Sequence, residues 1–202
     1  MSSPFQLETP RLLLRLWQER DREAFAAMNA DLGVMRFFAA TRTRAESDED
    51  IDRYLEQFER DGFTMFAAEL REDRAFAGVI GIQVMRDPIP NLPQPAVEIG
   101  WRLTQDCQGK GLATEGARAL VDLAFNELHL TDLVAITVPA NTASRRVMEK
   151  LGMTHRPELS FDHPRVPVEH PYKQHVLYSL PNPASVLCQP SDSKGYSCAP
   201  LS

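Results

Sequence analysis

Apolar positions in the first half of the chain alternate between short strand-like runs and helical spacing. Residues 12–16 form an apolar run that predicts a first strand, and a short helix is expected after it. A second amphipathic helix is predicted behind Ser47 and Asp50, which together resemble a capping box. Two later runs separated by a charged stretch predict a β-hairpin over 63–70 and 76–84.

The second half of the chain alternates strands with helices. Period-two alternation predicts a strand over 97–104, and from Thr114 the apolar period becomes that of a helix. A short apolar run at 133–138 predicts a strand buried on both faces. Another helix is expected to stop at Gly152, and a last strand follows over 175–180. Hairpins followed by strand–helix alternation predict an α/β (α+β) fold around a mixed sheet.

Composition predicts one globular domain. The chain has 202 residues, of which 43% are hydrophobic and 25% charged, enough to bury a sizeable core. Residues 1–180 carry the periodic patterns and form the predicted domain. Residues 181–202 lose periodicity, are rich in Pro, Ser and Gly, and are expected to form a flexible tail.

Charge and cysteine content narrow the class of partner and the location. The net charge is −6 and no dense Lys/Arg run is present, so a nucleic-acid partner is not expected. The three cysteines lack metal-site spacing and argue against a disulfide framework. No signal-like or membrane-spanning segment is evident, so a cytoplasmic, soluble protein without membrane attachment is expected.

The most informative stretch is the glycine-rich segment from Gln108 to Thr114, between a predicted strand and a strongly amphipathic helix. Glycines at such a junction let the backbone turn tightly, and the helix start adds free N–H donors, so an anion such as a diphosphate fits. A P-loop is excluded because Gly111 follows Lys110 where Ser or Thr is needed. A dinucleotide-binding fingerprint is also excluded, because it needs a third glycine at the position that Thr114 occupies. A plain turn remains the alternative.

Three segments in order resemble the GNAT superfamily of N-acetyltransferases, in its ribosomal-protein N-terminal acetyltransferase (RimJ/RimL-type) branch. The segment 108–113 resembles the Gln/Arg-x-x-Gly-x-Gly/Ala signature. The block 141–153 is similar to the Asn-x-x-Ser…Lys-x-Gly-Phe/Met block of that branch, and 8–15 is typical of its opening. The likeness covers roughly residues 7 to 180.

The resemblance implies a GNAT-like mixed central sheet of about seven strands flanked by about four helices. It also implies an enzyme that transfers the acetyl group of acetyl-CoA to a primary amine, by direct attack through a tetrahedral intermediate and without a metal. The acceptor is either a protein N-terminus, which the branch favours, or a small molecule. A monomer or a homodimer is expected.

The resemblance further implies where acetyl-CoA binds. The backbone of 101–104 would pair with the pantetheine amides, and the N–H groups of 108–114 would hold the pyrophosphate. Asn141 is either a helix cap or a pantetheine contact, and Lys110 either adds charge or is merely solvated. The expected cofactor-binding residues are Trp101, Leu103, Thr104, Gln108, Gly109, Lys110, Gly111, Leu112, Ala113, Thr114 and Asn141.

Two residues are expected to carry the chemistry. Ser144 occupies the position where the branch places a hydroxyl near the CoA sulfur, so it is the candidate donor to the leaving thiolate. Glu98, on the face of its strand opposite Trp101, is the candidate general base, and the alternative is a solvated or ion-paired residue without a catalytic role. Many members carry a Tyr at the position of Met148, so a tyrosine acid is not expected there.

Other polar groups receive weaker assignments. His163 and Arg165, together with the Phe37-Phe38 segment, are possible acceptor contacts. The His and carboxylate residues between 161 and 170 match no metal motif. Cys107 is expected to be a bystander because no base is apparent beside it.

Two alternatives to the enzyme stay open. One is a catalytically idle acyl-CoA-binding sensor or interaction module, which would keep the glycine junction and lose the sulfur donor. The other is an α/β scaffold that binds no CoA.

Overall fold

The protein is described here by a computed structural model that covers residues 5–186. Its strands pair into a nine-stranded mixed arrangement within that range. They are β1 (Gln6–Glu8), β2 (Leu12–Arg15), β3 (Met65–Leu70), β4 (Phe76–Val84), β5 (Val97–Leu103), β6 (Asp132–Thr137), β7 (Thr154–His155), β8 (Phe161–Asp162) and β9 (Gln174–Pro181).

Five helices accompany the sheet in the described range. They are α1 (Asp21–Ala30), α2 (Arg44–Asp61), α3 (Leu112–Asn126), α4 (Thr142–Lys150) and the short α5 (Pro183–Val186). Two 3-10 turns, at Gln105–Cys107 and Pro157–Leu159, complete the fold. Within residues 5–186, none of the helices combines the length and the apolarity that crossing a bilayer requires.

The strand order is β1-β2-β3-β4-β5-β6-β9-β7, and β8 pairs separately with β9. All neighbouring strands are antiparallel except β5 and β6, which α3 joins as a parallel pair. The predicted mixed-sheet α/β class is therefore confirmed. The sheet has more strands than expected because β1, β7 and β8 are two or three residues long, too short for periodicity to reveal.

One face of the sheet packs against α3. Gly116 permits this close approach, since a Cβ at that position would lie 2.7 Å from Cδ1 of Ile80 and 3.3 Å from Cδ1 of Leu12. The buried cluster includes Leu12, Leu14, Phe66, Ile80, Ile82, Ile99, Leu103, Leu112, Ala117, Leu120 and Ala124.

The opposite face is covered by α1 and α2. Its apolar cluster comprises Trp17, Phe25, Met28, Val34, Met35, Ile51, Tyr54, Met65, Ala67 and Val79. At its margin the buried Arg15 guanidinium donates to both oxygens of Asp21, at 2.7 and 2.9 Å, and to Oε2 of Glu69 at 2.7 Å. These charges are satisfied by one another, as buried charges must be.

Two predicted helix starts are wrong. The capping box of α2 is formed by Thr43 and Glu46, and Ser47 and Asp50 lie inside the helix. Ser47 instead donates to the carbonyl of Thr43 at 2.9 Å, which local spacing alone did not distinguish from a cap. Helix α3 begins at Leu112 rather than at Thr114, because Gly111 adopts a left-handed conformation (φ 81°) directly before it.

The end of the chain departs from the expected boundary. Strand β9 continues to Pro181, and Asn182 donates to the carbonyl of Leu130 at 2.9 Å ahead of α5. The rest of the predicted tail, residues 187–202, lies outside the described residues.

Candidate active site

An opening lies between β5 and β6 at their carboxyl ends. Within the described residues the two parallel strands pair at one position, Glu98 with Val134, and they are not paired from there to their carboxyl ends. The first turns of α3 and α4 follow these two strand ends. A parallel pair that splits in this way exposes backbone groups that a ligand can pair with.

The backbone of β5 offers alternate residues to this opening. Thr104 donates its N–H to Ala77 of the β4 side at 3.0 Å, and Cys107 donates to the Thr104 carbonyl at 3.0 Å. Successive residues of a strand direct their N–H and C=O groups to opposite edges, so Trp101 and Leu103 direct theirs toward the β6 side. Thr104 has both backbone groups bonded within the protein, contrary to its expected role.

The glycine junction, defined as residues 108–114, is built on left-handed glycines. Gly109 (φ 73°) and Gly111 (φ 81°) have backbone angles that L side chains rarely adopt. No atom lies within 4 Å of a Cβ placed on Gly109, so the backbone there is open to approach. Gln108 differs from its expected role: its N–H donates to Gln105 at 3.1 Å, and its side chain donates to the Leu103 carbonyl at 3.0 Å.

Free donors gather at the start of α3. The first helical hydrogen bond joins the Glu115 N–H to the Gly111 carbonyl at 3.0 Å. The N–H groups of Leu112, Ala113 and Thr114 precede it and have no acceptor inside the helix. Together with the exposed Lys110, they form a donor set that suits a diphosphate.

A clamp of three residues that sequence reasoning missed holds this junction in place. Glu115 accepts from Thr9 Oγ1 at 2.7 Å, from the Arg11 N–H at 2.8 Å and from Arg11 Nε at 2.7 Å. Arg11 also donates through Nη1 to the Lys110 carbonyl at 2.9 Å. Thr9 and Arg11 lie in the opening segment that carries the family likeness, but only the fold brings them to α3.

Ser144 lies in the first turn of α4, where its hydroxyl accepts two hydrogen bonds. Asn141 caps the helix, its Oδ1 accepting from the Ser144 N–H at 3.2 Å. That bond orients the amide, so Nδ2 of Asn141 donates to Ser144 Oγ at 3.2 Å. Nε1 of Trp101 donates to the same oxygen at 3.3 Å, a contact across the opening that the sequence did not reveal.

Glu98 lies on the other face of β5. Its Oε2 accepts from Nε2 of Gln83 at 3.0 Å. Burial raises the pKa of Glu98, while the Gln83 hydrogen bond and Arg165 oppose that rise. The carboxylate lines a cavity of about 70 Å³ whose other walls come from α2, the β4–β5 loop and the loop after β8.

The remaining candidates separate into two groups. His163 and Arg165 line the same cavity as Glu98. Burial, with the neighbouring His175 and Arg165, lowers the pKa of His163 to about 4, so its ring is neutral at pH 7.

The other candidates lie elsewhere. Phe37 packs against Tyr172, with ring centroids 6.2 Å apart, and Phe38 lies 5.2 Å from the Arg102 guanidinium. Cys107 and Met148 are buried in the core. Within residues 5–186, no cluster of three His, Cys, Asp or Glu side chains could hold a metal ion.

Comparison with known proteins agrees with this architecture. The sequence pattern of the acetyltransferase (GNAT) domain matches residues 11–154. An uncharacterized Bacillus subtilis protein, YkkB, is 31% identical over 154 residues, 76% of this chain and 87% of its own length. The chain belongs to the GNAT acetyltransferase family, and it is an acetyl-CoA-dependent N-acetyltransferase.

Further relatives include proteins named for ribosomal acetylation. The putative ribosomal N-acetyltransferase YdaF of Bacillus subtilis is 29% identical and is covered over 76% of its length, 70% of this chain. An Agrobacterium tumefaciens acetyltransferase superposes with TM-score 0.70 at 27% identity, covering 89% of this chain and 96% of that one. RimL, a ribosomal L7/L12 alpha-N-protein acetyltransferase in complex with coenzyme A, shares the fold at 17% identity, with a TM-score of 0.69 over 88% of this chain and 98% of that one.

Proposed function

We propose that acetyl-CoA binds in the opening between β5 and β6 and that a primary amine attacks its thioester from the Glu98 side of the sheet. The diphosphate would lie on the glycine junction, and the sulfur would lie beside Ser144. The two sets of residues occupy opposite faces of β5, which lets two substrates meet at one strand.

The donor set at the α3 start supports the diphosphate position. The N–H groups of Leu112 to Thr114 precede the first helical bond, and the helix dipole adds partial positive charge there. We therefore assign cofactor binding to 109–114, and Thr104 and the N–H of Gln108 are left out because they are bonded within the protein.

The catalytic assignment rests on a single observation, the two hydrogen bonds that the Ser144 hydroxyl oxygen accepts. An indole N–H can only donate, and Nδ2 of an amide can only donate. Ser144 Oγ therefore accepts from both Trp101 and Asn141, and its own proton remains available for a third partner. A hydroxyl held in this way is prepared to donate to a sulfur that gains negative charge.

Glu98 supports the removal of the amine proton. Because the pKa of Glu98 is raised, it lies closer to the pKa of an amine than the pKa of an ordinary carboxylate does. This smaller difference favours proton transfer from the amine to Glu98 at neutral pH. The amine nitrogen forms a bond to the acetyl carbon, and the carbon–sulfur bond then breaks. The nitrogen proton passes to Glu98, directly or through water, and the thiolate accepts the Ser144 hydrogen bond.

The acceptor is either a protein N-terminus or a small amine. The names of the ribosomal relatives support the first, and the small cavity at Glu98 supports the second. The cytoplasmic location stays a prediction. A catalytically idle sensor is the alternative, and the donors to Ser144 weigh against it because they prepare a hydroxyl that mere binding does not need.

The test is thiol release from acetyl-CoA with panels of free-N-terminus peptides and small amines, for wild type and Ser144→Ala. We expect kcat to fall about 10²–10³-fold in the variant, the usual effect of losing one such donor, with acetyl-CoA affinity changed little. Thr142→Ala, an exposed hydroxyl two residues earlier in α4, is the matched control. Undiminished kcat in Ser144→Ala would remove the proposed role. Acetyl-CoA binding without turnover on any acceptor would favour the sensor.

A further inference from the structure

Three arginines line the cavity beside Glu98. Arg53 enters from α2, Arg86 from the β4–β5 loop and Arg165 from the loop after β8. Asp87 is the one carboxylate besides Glu98 among the residues that line this cavity. This local excess of positive charge contrasts with the net charge of −6 of the whole chain.

The arginines are unequally neutralised. Arg165 pairs with Asp87, and Arg53 pairs with Asp50. Within residues 5–186, no carboxylate oxygen lies within 4.0 Å of the Arg86 guanidinium. Partial burial, followed by the positive charges of Arg53 and Arg165, lowers the pKa of Arg86. The three guanidinium groups border the same cavity.

A second uncompensated guanidinium lies on the same face of β5 as Glu98. Arg102 lies 5.6 Å from the Phe25 ring centroid and 5.2 Å from that of Phe38, and its Nε is buried without a hydrogen-bond partner. Within the described range it also lacks a carboxylate at ion-pair distance. The acceptor side of the sheet therefore holds more cationic groups than the protein itself neutralises.

We infer that the acceptor is a small primary amine that also carries an anionic group, a carboxylate or a phosphate, which Arg86 and Arg53 bind while Glu98 receives the amine. This inference rests on the proposed function and adds the class of substrate. A guanidinium without an internal partner is suited to paired hydrogen bonds with either anion. A polyamine or an aminoglycoside has only positive charge to bring to these arginines and would be repelled.

The cavity size agrees with a small acceptor. A volume of about 70 Å³ suits a compact head group, and Phe161 and Ile136 supply its apolar wall. The Gln83 amide donates to one Glu98 oxygen, and within residues 5–186 no group hydrogen-bonds to the other, which can therefore accept from the ammonium. The chemistry of the wall thus matches an amine at one end of the ligand and an anion at the other.

The test compares matched pairs of acceptors that differ only in the anion. The carboxylate pair is β-alanine against propylamine, the phosphate pair is O-phosphoethanolamine against ethanolamine, and putrescine and kanamycin represent polycations. We expect kcat/KM to be at least about 10-fold higher for the anionic member of one pair, which also identifies the preferred anion. Arg86→Gln is expected to reduce that preference about 5–10-fold, and Arg86→Lys is expected to restore part of it.

Arg60→Gln, at the exposed carboxyl end of α2, is the control for the same loss of charge away from the cavity. If the neutral amines or polycations are acetylated as well as the anionic amines, the inference is wrong and the acetyltransferase reaction stands. If no amine in the panel turns over, calorimetry of β-alanine and O-phosphoethanolamine against the protein with CoA decides. Binding that weakens in Arg86→Gln supports the anion site, and the absence of binding refutes it.

Discussion

The clamp formed by Thr9, Arg11 and Glu115 gives a sharp prediction for Glu115→Gln. This change keeps the shape of the side chain and one acceptor oxygen, but it removes the charge and turns an NH2 group toward one of the donors. The Glu115 side chain is 16% exposed and that of Arg11 is 52% exposed, so the ion pair between them is partly screened.

The magnitude follows from the contacts. We assign up to about 1 kcal/mol to the screened ion pair and about 1 kcal/mol to the poorer hydrogen bonds from Thr9 and the Arg11 N–H. The expected loss in unfolding free energy is therefore about 1–2 kcal/mol. Because Arg11 also holds the Lys110 carbonyl, the glycine junction loses order, and we expect acetyl-CoA affinity to fall about 3–10-fold.

Urea unfolding and calorimetric titration of CoA measure the two effects, with Glu127→Gln at the other end of α3 as the charge-matched control. Burial opposes ionisation of Glu115, but hydrogen bonds from Thr9 and Arg11 outweigh it and hold its pKa below the ordinary value. The clamp's contribution is thus present above the ordinary pKa and is lost as the pH falls through the lowered one. Reduced stability with unchanged CoA affinity would refute the link between clamp and cofactor.

Three further predictions concern charge. If Glu98 accepts the amine proton, kcat/KM rises with pH through its raised pKa, and Glu98→Gln is expected to lose that acidic limb; a limb that persists would exclude Glu98 as the base. Arg15→Met leaves two buried carboxylates without their shared partner and should lower the unfolding free energy by about 3–5 kcal/mol in urea, against less than about 1 kcal/mol for the half-exposed Arg20→Gln; equal losses would contradict this reasoning. Because folding lowers the pKa of His163 from 6.5 to about 4, stability should fall as the pH drops through that window, and His163→Gln should flatten the slope in pH-dependent thermal unfolding; an unchanged slope would show that another group is responsible.

The family and the place of the glycine junction between β5 and α3 could be predicted from local sequence. The order of elements around 97–128 and the glycines at 109 and 111 each reflect a local requirement, either hydrophobic period or left-handed backbone. Such requirements restrict which residue types occur at neighbouring positions, so they can be recognised in the sequence. The mixed-sheet class and the family membership predicted from them were confirmed.

The sequence predicted the wrong hydrogen-bond partner where a residue distant in sequence supplies the actual one. Ser47 has the local features of a helix cap, but it lies inside α2 and accepts from Asn29 at 3.0 Å, a partner on another helix. The backbone of Thr104 was expected to pair with pantetheine, but its N–H donates to the Ala77 carbonyl because the β4–β5 register turns that edge of the strand toward β4. Register is a property of the pair of strands, so one strand's pattern does not contain it.

The sequence by itself determined the fold class, the family and the glycine junction, since these depend on interactions among near neighbours. Only the tertiary structure decided that Trp101 donates to Ser144, that Thr9 and Arg11 hold Glu115, and that arginines from three separate segments surround Glu98. The hydrogen bonds in this set join residues that lie 43 to 106 positions apart in sequence. Their geometry depends on how the sheet splits and the helices pack, which no local pattern records.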